Sequence, residues 1–329
     1  MSRVKNSYIS SFKRARRYRL KAIHVVAFIA LFILIFGAME YLNRTYSVVD
    51  NQYYKVLSRF QDQRGNIEIL FLGDSQFEYG VNTDLFPYST FNLSYGGINF
   101  IQSYFLLKHY IDSMPSLKVV VLPLDHHSFH PYKTDRFELF FIDKYIDWRE
   151  LLPTKGLNIL VKRFSCFTIL DDTLGRKSSM EKAIKYVFGR KLITFKRATT
   201  TGPSKAVALD KDLLLYFYKT LVLCRAHNIR VVTVSTPLTR DYIISAEKKL
   251  YHINDIERFV FSDPKYGDLI YRNFNHIAWN PDEKDLFKDG HHLNSRGRDM
   301  FTPVLVDEFS SIMDQIPKGN VKSSGRMDK

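Results

Sequence analysis

The sequence predicts an α/β domain, a parallel sheet flanked by helices, carrying an inserted helical segment and one N-terminal transmembrane helix. Three observations carry this expectation. Short apolar runs such as Val119-Val120-Val121 alternate with longer stretches whose apolar residues recur at helical spacing, the pattern of strands buried on both faces. The alternation starts near residue 66, breaks between about 130 and 207, and then resumes. Upstream of it, Ala22 to Met39 is an eighteen-residue run interrupted only by His24 and by no formal charge.

That apolar run is about the length needed to cross roughly 30 Å of hydrocarbon at about 1.5 Å per residue. Eight Lys or Arg and no acid precede it in Met1–Lys21. Cationic flanks stay on the cytoplasmic side, so 1–21 reads as a cytoplasmic basic tail, 22–41 as a transmembrane signal anchor, and the rest as exported. A cleaved signal peptide would have an apolar core of about 7–15 residues ending in small residues. This run is longer, and Gly37-Ala38-Met39-Glu40 is a poor cleavage site. No second run approaches spanning length, so a single pass is expected.

Of the net charge of +14, eight positive charges lie in Met1–Lys21 and three in Lys318–Lys329, so the 296 residues between them hold only three. A nucleic-acid footprint would spread over a folded face; basicity confined to the ends argues against one. Apolar content of 45% and charged content of 25% exclude a disordered, collagenous or polytopic chain.

Along the exported part, 42–65 reads as a linker and 66–316 as the domain. Asn66 to Leu72 is a buried strand that stops at Gly73-Asp74-Ser75, and Ser89 to Leu93 is a short strand that ends in Gly96-Gly97. From Asn99 to Ser113 the positions Phe100, Tyr104, Leu107 and Tyr110 mark a helix, followed by Pro115. Leu117 to Leu122 is the third strand. The insertion, about 130–207, holds two expected helices (Leu157–Leu170 and Ser179–Phe188) and the loop Thr199 to Ser204. Asp210 to His227 is a helix, Ile229 to Ser235 a strand closed by Pro237, and Leu269 to Phe274 a weaker strand. A last helix begins at Asn294-Ser295, either of which can cap its exposed amides, and runs to about Met313. Residues 317–329 read as a flexible basic tail. Spacing does not decide whether Cys166 and Cys224 pair or remain two buried thiols.

Open parallel sheets gather functional residues at the carboxyl ends of their strands. Ser75 stands at such an end. Far downstream, Asp289-Gly290-His291-His292 lies just before the last helix, and an aspartate and a histidine three apart can share a hydrogen bond. The carboxylate then fixes the imidazole tautomer, and the free ring nitrogen can take a proton from a serine hydroxyl, a weak nucleophile when unaided. Each half is common alone. Their combination, with Gly96-Gly97 after the second strand, is specific.

At these residues the chain resembles the SGNH/GDSL hydrolase superfamily, over most of Ile67–Met313 apart from the insertion. The resemblance implies a flavodoxin-like three-layer sandwich, with Ser75 as nucleophile and Asp289 and His292 completing a triad. It also implies an oxyanion hole formed by the Ser75 amide and a glycine of the second block. Aligning Asn92-Leu93-Ser94-Tyr95-Gly96-Gly97 to that block favours Gly97. The third block departs from the family: its Gly-x-Asn-Asp is replaced by Pro123-Leu124-Asp125-His126-His127, so the donor Asn is missing, and His126 or His127 is the candidate replacement. With the N-terminal anchor, this departure is similar to a bacterial single-pass branch that works beside membrane-bound O-acyltransferases, of the alginate O-acetylation and teichoic-acid D-alanylation type.

In that branch a polytopic partner passes an acyl group across the cytoplasmic membrane, and the exported domain places it on a sugar or polyol hydroxyl. The implied role is therefore an extracytoplasmic O-acyltransferase, O-acetyl in the first instance, acting on a cell-surface or secreted polysaccharide in the periplasm or outside the cell. An anchored esterase or deacetylase, and a non-catalytic accessory subunit, are the alternatives. No cofactor and no metal is expected. Asp125, His126, His127 and His130 form a cluster, but adjacent histidines on an extended chain point opposite ways, and no spacing completes a tetrahedral site. His291 reads as a bystander of His292.

Overall fold

A computed structural model describes residues 23–41, 52–125, 128–129, 144–147, 149–151, 209–248, 262–267, 269–277 and 285–316. They divide between two compact units, Met1–Asn51 with Lys155–Arg197 and Gln52–Thr154 with Ala198–Lys329. The expected helices in the insertion, the loop at 199–204, Cys166, and both basic tails lie outside the described residues.

In the first unit, helix α1 (Ile23–Tyr41) is long and apolar enough to cross a membrane. Phe28, Ile33 and Leu34 are 70%, 63% and 69% exposed. A helix apolar on every face and bare of protein suits hydrocarbon better than water.

The second unit is built on five parallel strands: β1 (Ile69–Phe71), β2 (Thr90–Asn92), β3 (Val119–Pro123), β4 (Arg230–Ser235) and β5 (Ile270–Asn273). Their order is β2-β1-β3-β4-β5, the flavodoxin-like doubly wound arrangement. Phe71 pairs with Asn92 on one side and Val121 on the other. The chain leaves β1 first for one neighbour and later returns to the other. The switch point, where a crevice opens at the carboxyl ends, therefore falls beside β1 and β3.

Side chains alternate across a strand, and both faces are covered. On one face Ile69, Phe71, Val119, Val121, Val232 and Val234 form a single core with Phe301, Leu305, Phe309 and Ile312 of helix α7 (Ser295–Asp314). On the other, Leu70, Val120 and Leu122 are equally buried. That layer is supplied by helices α4 (Phe100–Tyr110) and α5 (Lys211–Ala226), which meet through Phe100 against Phe217 (4.9 Å) and Phe105 against Tyr216 (5.6 Å). Each such buried ring contributes about 1.5–3 kcal/mol. The three-layer α/β sandwich follows.

Local chemistry sets the ends. Asn99 and Gln102 make a reciprocal capping box at the start of α4. Helix α5 starts at the Asp210 cap and stops where Asn228 adopts φ 57°, the left-handed conformation that asparagine tolerates, while the Ile229 amide reaches back to the Cys224 carbonyl. Cys224 is a free, buried thiol, and burial pushes its pKa up to about 12.

The structure departs from expectation in three places. The stretch 42–65, read as a linker, contains helix α2 (Gln52–Gln63). Its Tyr53, Leu57 and Phe60 recur at helical spacing and are fully buried, with the Phe60 ring against Phe91 and Tyr110. Two further helices, α3 (Ser75–Gly80) and α6 (Arg240–Lys248), follow β1 and β4. The helix expected over 99–113 tightens after Tyr110 into a 3₁₀ turn, Ile111–Ser113.

Candidate active site

Three segments meet at the carboxyl end of β1. The first is the turn Gly73-Asp74-Ser75. Asp74, 2% exposed, caps α3 by accepting the Gln76 amide at 3.0 Å. Ser75 is the first residue of that helix, half-buried, and its amide has no acceptor within the helix.

The second segment extends β2. The Leu93 amide bonds the Phe71 carbonyl (2.9 Å) and the Tyr95 amide bonds the Gly73 carbonyl (3.1 Å), which brings the glycine pair against the β1 turn. Gly97 has φ 87°, a conformation that strains any residue with a Cβ. The Gly96 amide is taken by the Glu78 carboxylate at 2.7 Å.

The third is the loop before α7. It is closed at its base by the Asn294 amide on the Leu286 carbonyl (2.9 Å) and the Lys288 amide on the His292 carbonyl (2.8 Å). From outside, the Thr239 amide (3.1 Å) and hydroxyl (2.9 Å) both hold the Gly290 carbonyl.

Within this loop Asp289 Oδ1 accepts the amides of His291 (3.0 Å) and His292 (2.9 Å), while Oδ2 lies 2.8 Å from His292 Nδ1. His292 Nε2 lies 2.8 Å from Ser75 Oγ, across 217 residues of sequence. An ionised carboxylate only accepts, so Nδ1 carries the proton, and the lone pair of Nε2 faces the serine hydroxyl. Burial pushes the Asp289 carboxyl up. The His292 ring, the His291 amide and the two nearby imidazoles outweigh it and hold the carboxyl below its ordinary value of 3.8. For Glu78 burial wins: its carboxyl is raised despite the Gly96 amide and the nearby His292 and Lys288, with Asp74 adding to the rise.

The structure thus brings Ser75, Asp289 and His292 together and sets Gly96-Gly97 beside them. His126, the expected third donor, and His127 and His130 lie outside the described residues. At the same strand end Asp125 is 2% exposed, and its amide is held by Ser128 Oγ at 2.8 Å. His291, expected as a bystander of His292, stands beside it: its ring centroid is 3.9 Å from that of His292 and it stacks on Tyr242 at 5.0 Å. Asp289, His291 and His292 each offer a donor atom within 4.8 Å of the others, so their separations alone would suit a metal ion. The Asp289–His292 bond continues to Ser75, so the three side chains form one hydrogen-bonded line.

Three residues around this line carry no signal of their own in the sequence. They are Glu78, Tyr79, whose ring meets His292 edge-on at 5.3 Å, and Lys288, whose Nζ lies 4.7 Å from the Tyr79 ring. Only the offset of three from Ser75 could have pointed to Glu78, and then only with α3 already recognised.

No family model and no curated protein matches the chain. Among solved structures, it is similar to a Bacteroides fragilis protein named as an acylhydrolase, at 12% identity and TM-score 0.40, covering 80% of this chain and 99% of that one. It is similar to a GDSL-like lipase from Bacteroides thetaiotaomicron at 11% identity and TM-score 0.40, covering 79% and 98%. A Streptococcus protein named for platelet activating factor gives 13% identity and TM-score 0.35, covering 82% and 98%.

Proposed function

We propose that this chain is a membrane-anchored acyl-transfer enzyme of the SGNH/GDSL type, working outside the cytoplasmic membrane on a polysaccharide hydroxyl. The observation that carries the reading is the hydrogen-bonded line Asp289–His292–Ser75, at 2.8 Å for each link, standing at the switch point of a parallel sheet. Ser75 Oγ attacks the acyl carbon of the donor as its proton passes to His292 Nε2. The tetrahedral oxyanion is held by the amides of Ser75 and Gly97. Collapse breaks the donor's ester bond, and His292 returns the proton to the leaving group. A sugar hydroxyl then attacks the serine ester, gives its proton to His292, and leaves as the new ester while Ser75 Oγ recovers a proton. Asp289 stays ionised and keeps the imidazole in the productive tautomer. The acyl group is proposed as acetyl, the donor as a polytopic membrane-bound O-acyltransferase, and the orientation as N-terminus inside.

Hydrolysis is the second reading, and one observation favours it. Asp289 is 45% and His291 32% exposed at the side chain, so the relay opens to solvent and water can replace the sugar. The full-length protein in detergent, as wild type and Ser75→Ala, would be incubated with a chromogenic acetyl ester, with and without oligosaccharides, and the products read by mass spectrometry. Acetylated sugar from wild type alone supports the transferase. Free acetate without sugar product, lost in the variant, moves the assignment to an esterase. A Ser75→Ala allele that retains full function in the cell refutes both and leaves an accessory subunit.

A further inference from the structure

Glu78 lies one turn after Ser75 on α3, and its Oε2 accepts the Gly96 amide at 2.7 Å. A Cβ built on Gly96 would stand 3.3 Å from that oxygen and 3.9 Å from Ser75 Cβ, so the turn passes against both side chains. A second link, from Asn92 Nδ2 to the Phe77 carbonyl at 2.7 Å, already ties the end of β2 to the same helix. The Glu78 bond therefore adds little to holding the layers together. What it fixes is the peptide immediately before Gly97. It also spends the Gly96 amide, which leaves Gly97 as the donor of the pair. The acid is half-buried, with Lys288 and His292 as nearby opposite or potentially opposite charges and Asp74 as a like one. Half-burying a carboxylate carries a desolvation cost, yet the acceptor for the Gly96 amide is kept at this position.

We infer that Glu78 is a positioning residue for acyl transfer, locking the Gly96-Gly97 turn so that the Gly97 amide stays in register with the Ser75 amide around the oxyanion. This rests on the acyl-transfer reading above, and the test separates the two. Full-length protein in detergent would be assayed as wild type, Ser75→Ala, Glu78→Ala and Glu78→Gln on matched p-nitrophenyl acetate and thionoacetate. Sulfur is the poorer hydrogen-bond acceptor, so the oxo-to-thiono rate ratio reports donors aimed at the oxyanion rather than general folding. Glu78→Ala should lower kcat on the oxo ester about 100-fold, the size of one lost oxyanion donor, with KM within about threefold and a smaller oxo-to-thiono ratio. Glu78→Gln, whose Oε1 can accept the same amide, should bring kcat back to within about tenfold of wild type and restore the ratio. An unchanged kcat in Glu78→Ala, or a reduced kcat with the ratio unaltered, overturns the inference. So does a folded Glu78→Gln that loses the ratio. Ester turnover surviving in Ser75→Ala would instead overturn the underlying reading.

Discussion

Asp289 and Glu78 flank the same imidazole, and their surroundings push them in opposite directions. Asp289 accepts two amides and a ring N–H, which together hold its carboxyl below 3.8 despite partial burial. A depressed carboxyl contributes stability that is complete above the unfolded value and lost as pH falls through the folded one. The Tm difference between wild type and Asp289→Asn should therefore hold steady from about pH 7 to pH 5 and shrink below about pH 4. Its size will be small, because Asp289 is largely exposed. Under the proposed mechanism the effect on rate is larger: the Asn variant no longer enforces the tautomer, and kcat should fall about 10³-fold or more. Glu78 carries the opposite sign. Its raised carboxyl favours the folded state below the unfolded value of 4.5, and that contribution is lost as pH rises through the folded value. Glu78→Gln should therefore melt higher than wild type at pH 7, with the gap closing toward pH 4. A gap independent of pH would show that ionisation is not what burdens the position.

Elements were legible in proportion to how one-sided their local signals are. β3 and β4 are apolar runs with all or most side chains buried, and the structure places them within a residue or two of expectation. α2 was hidden by composition. Tyr53, Leu57 and Phe60 keep helical spacing, but Gln, Lys and Arg surround them, and the stretch directly follows the apolar run. α3 is only six residues long, too short for periodicity to register. The relay was legible because Gly-Asp-Ser and Asp-x-x-His each sit at a recognisable boundary, strand end and helix start. Glu78 was not, since its partner Gly96 lies eighteen residues away and meets it only through the β1–β2 pairing. Two substitutions test these elements. Phe60→Ala should cost about 3–5 kcal/mol in denaturant unfolding if α2 belongs to the core, and close to nothing if it is a linker. In α7, a Cβ on Gly297 would fall 2.1 Å from the Leu286 carbonyl oxygen, so Gly297→Ala must push apart the helix start and the loop that carries Asp289 and His292. A loss of about 1–3 kcal/mol is expected, with a fall in ester turnover larger than that of an equally destabilising change in α5.

At the scale of the whole molecule, charge and hydropathy divide the chain more sharply than any fold boundary does. Eight Lys or Arg without an acid, then a nineteen-residue, mostly apolar and mostly exposed helix, then a nearly neutral body, form an ordered series. If the helix spans a membrane, the proposed orientation keeps this basic flank inside, at about 1 kcal/mol per residue near an anionic leaflet. An uncleaved anchor and a cleaved leader leave different products. The purified protein should retain its full mass of 38.6 kDa and sediment with membranes through carbonate washing. Alkaline phosphatase fused after Ile316 should be active, because it folds only outside the cytoplasm, whereas a fusion before Ile23 should be silent. Replacing the basic residues of 13–21 with Gln and Asn should lower the exported fraction without changing membrane association, since the apolar span alone provides the latter. A shortened mature chain, found soluble after export, would mean that α1 is removed. The domain would then have to meet any membrane-bound acyl donor by diffusion rather than by being held beside it, at the expense of the effective concentration that a shared membrane supplies.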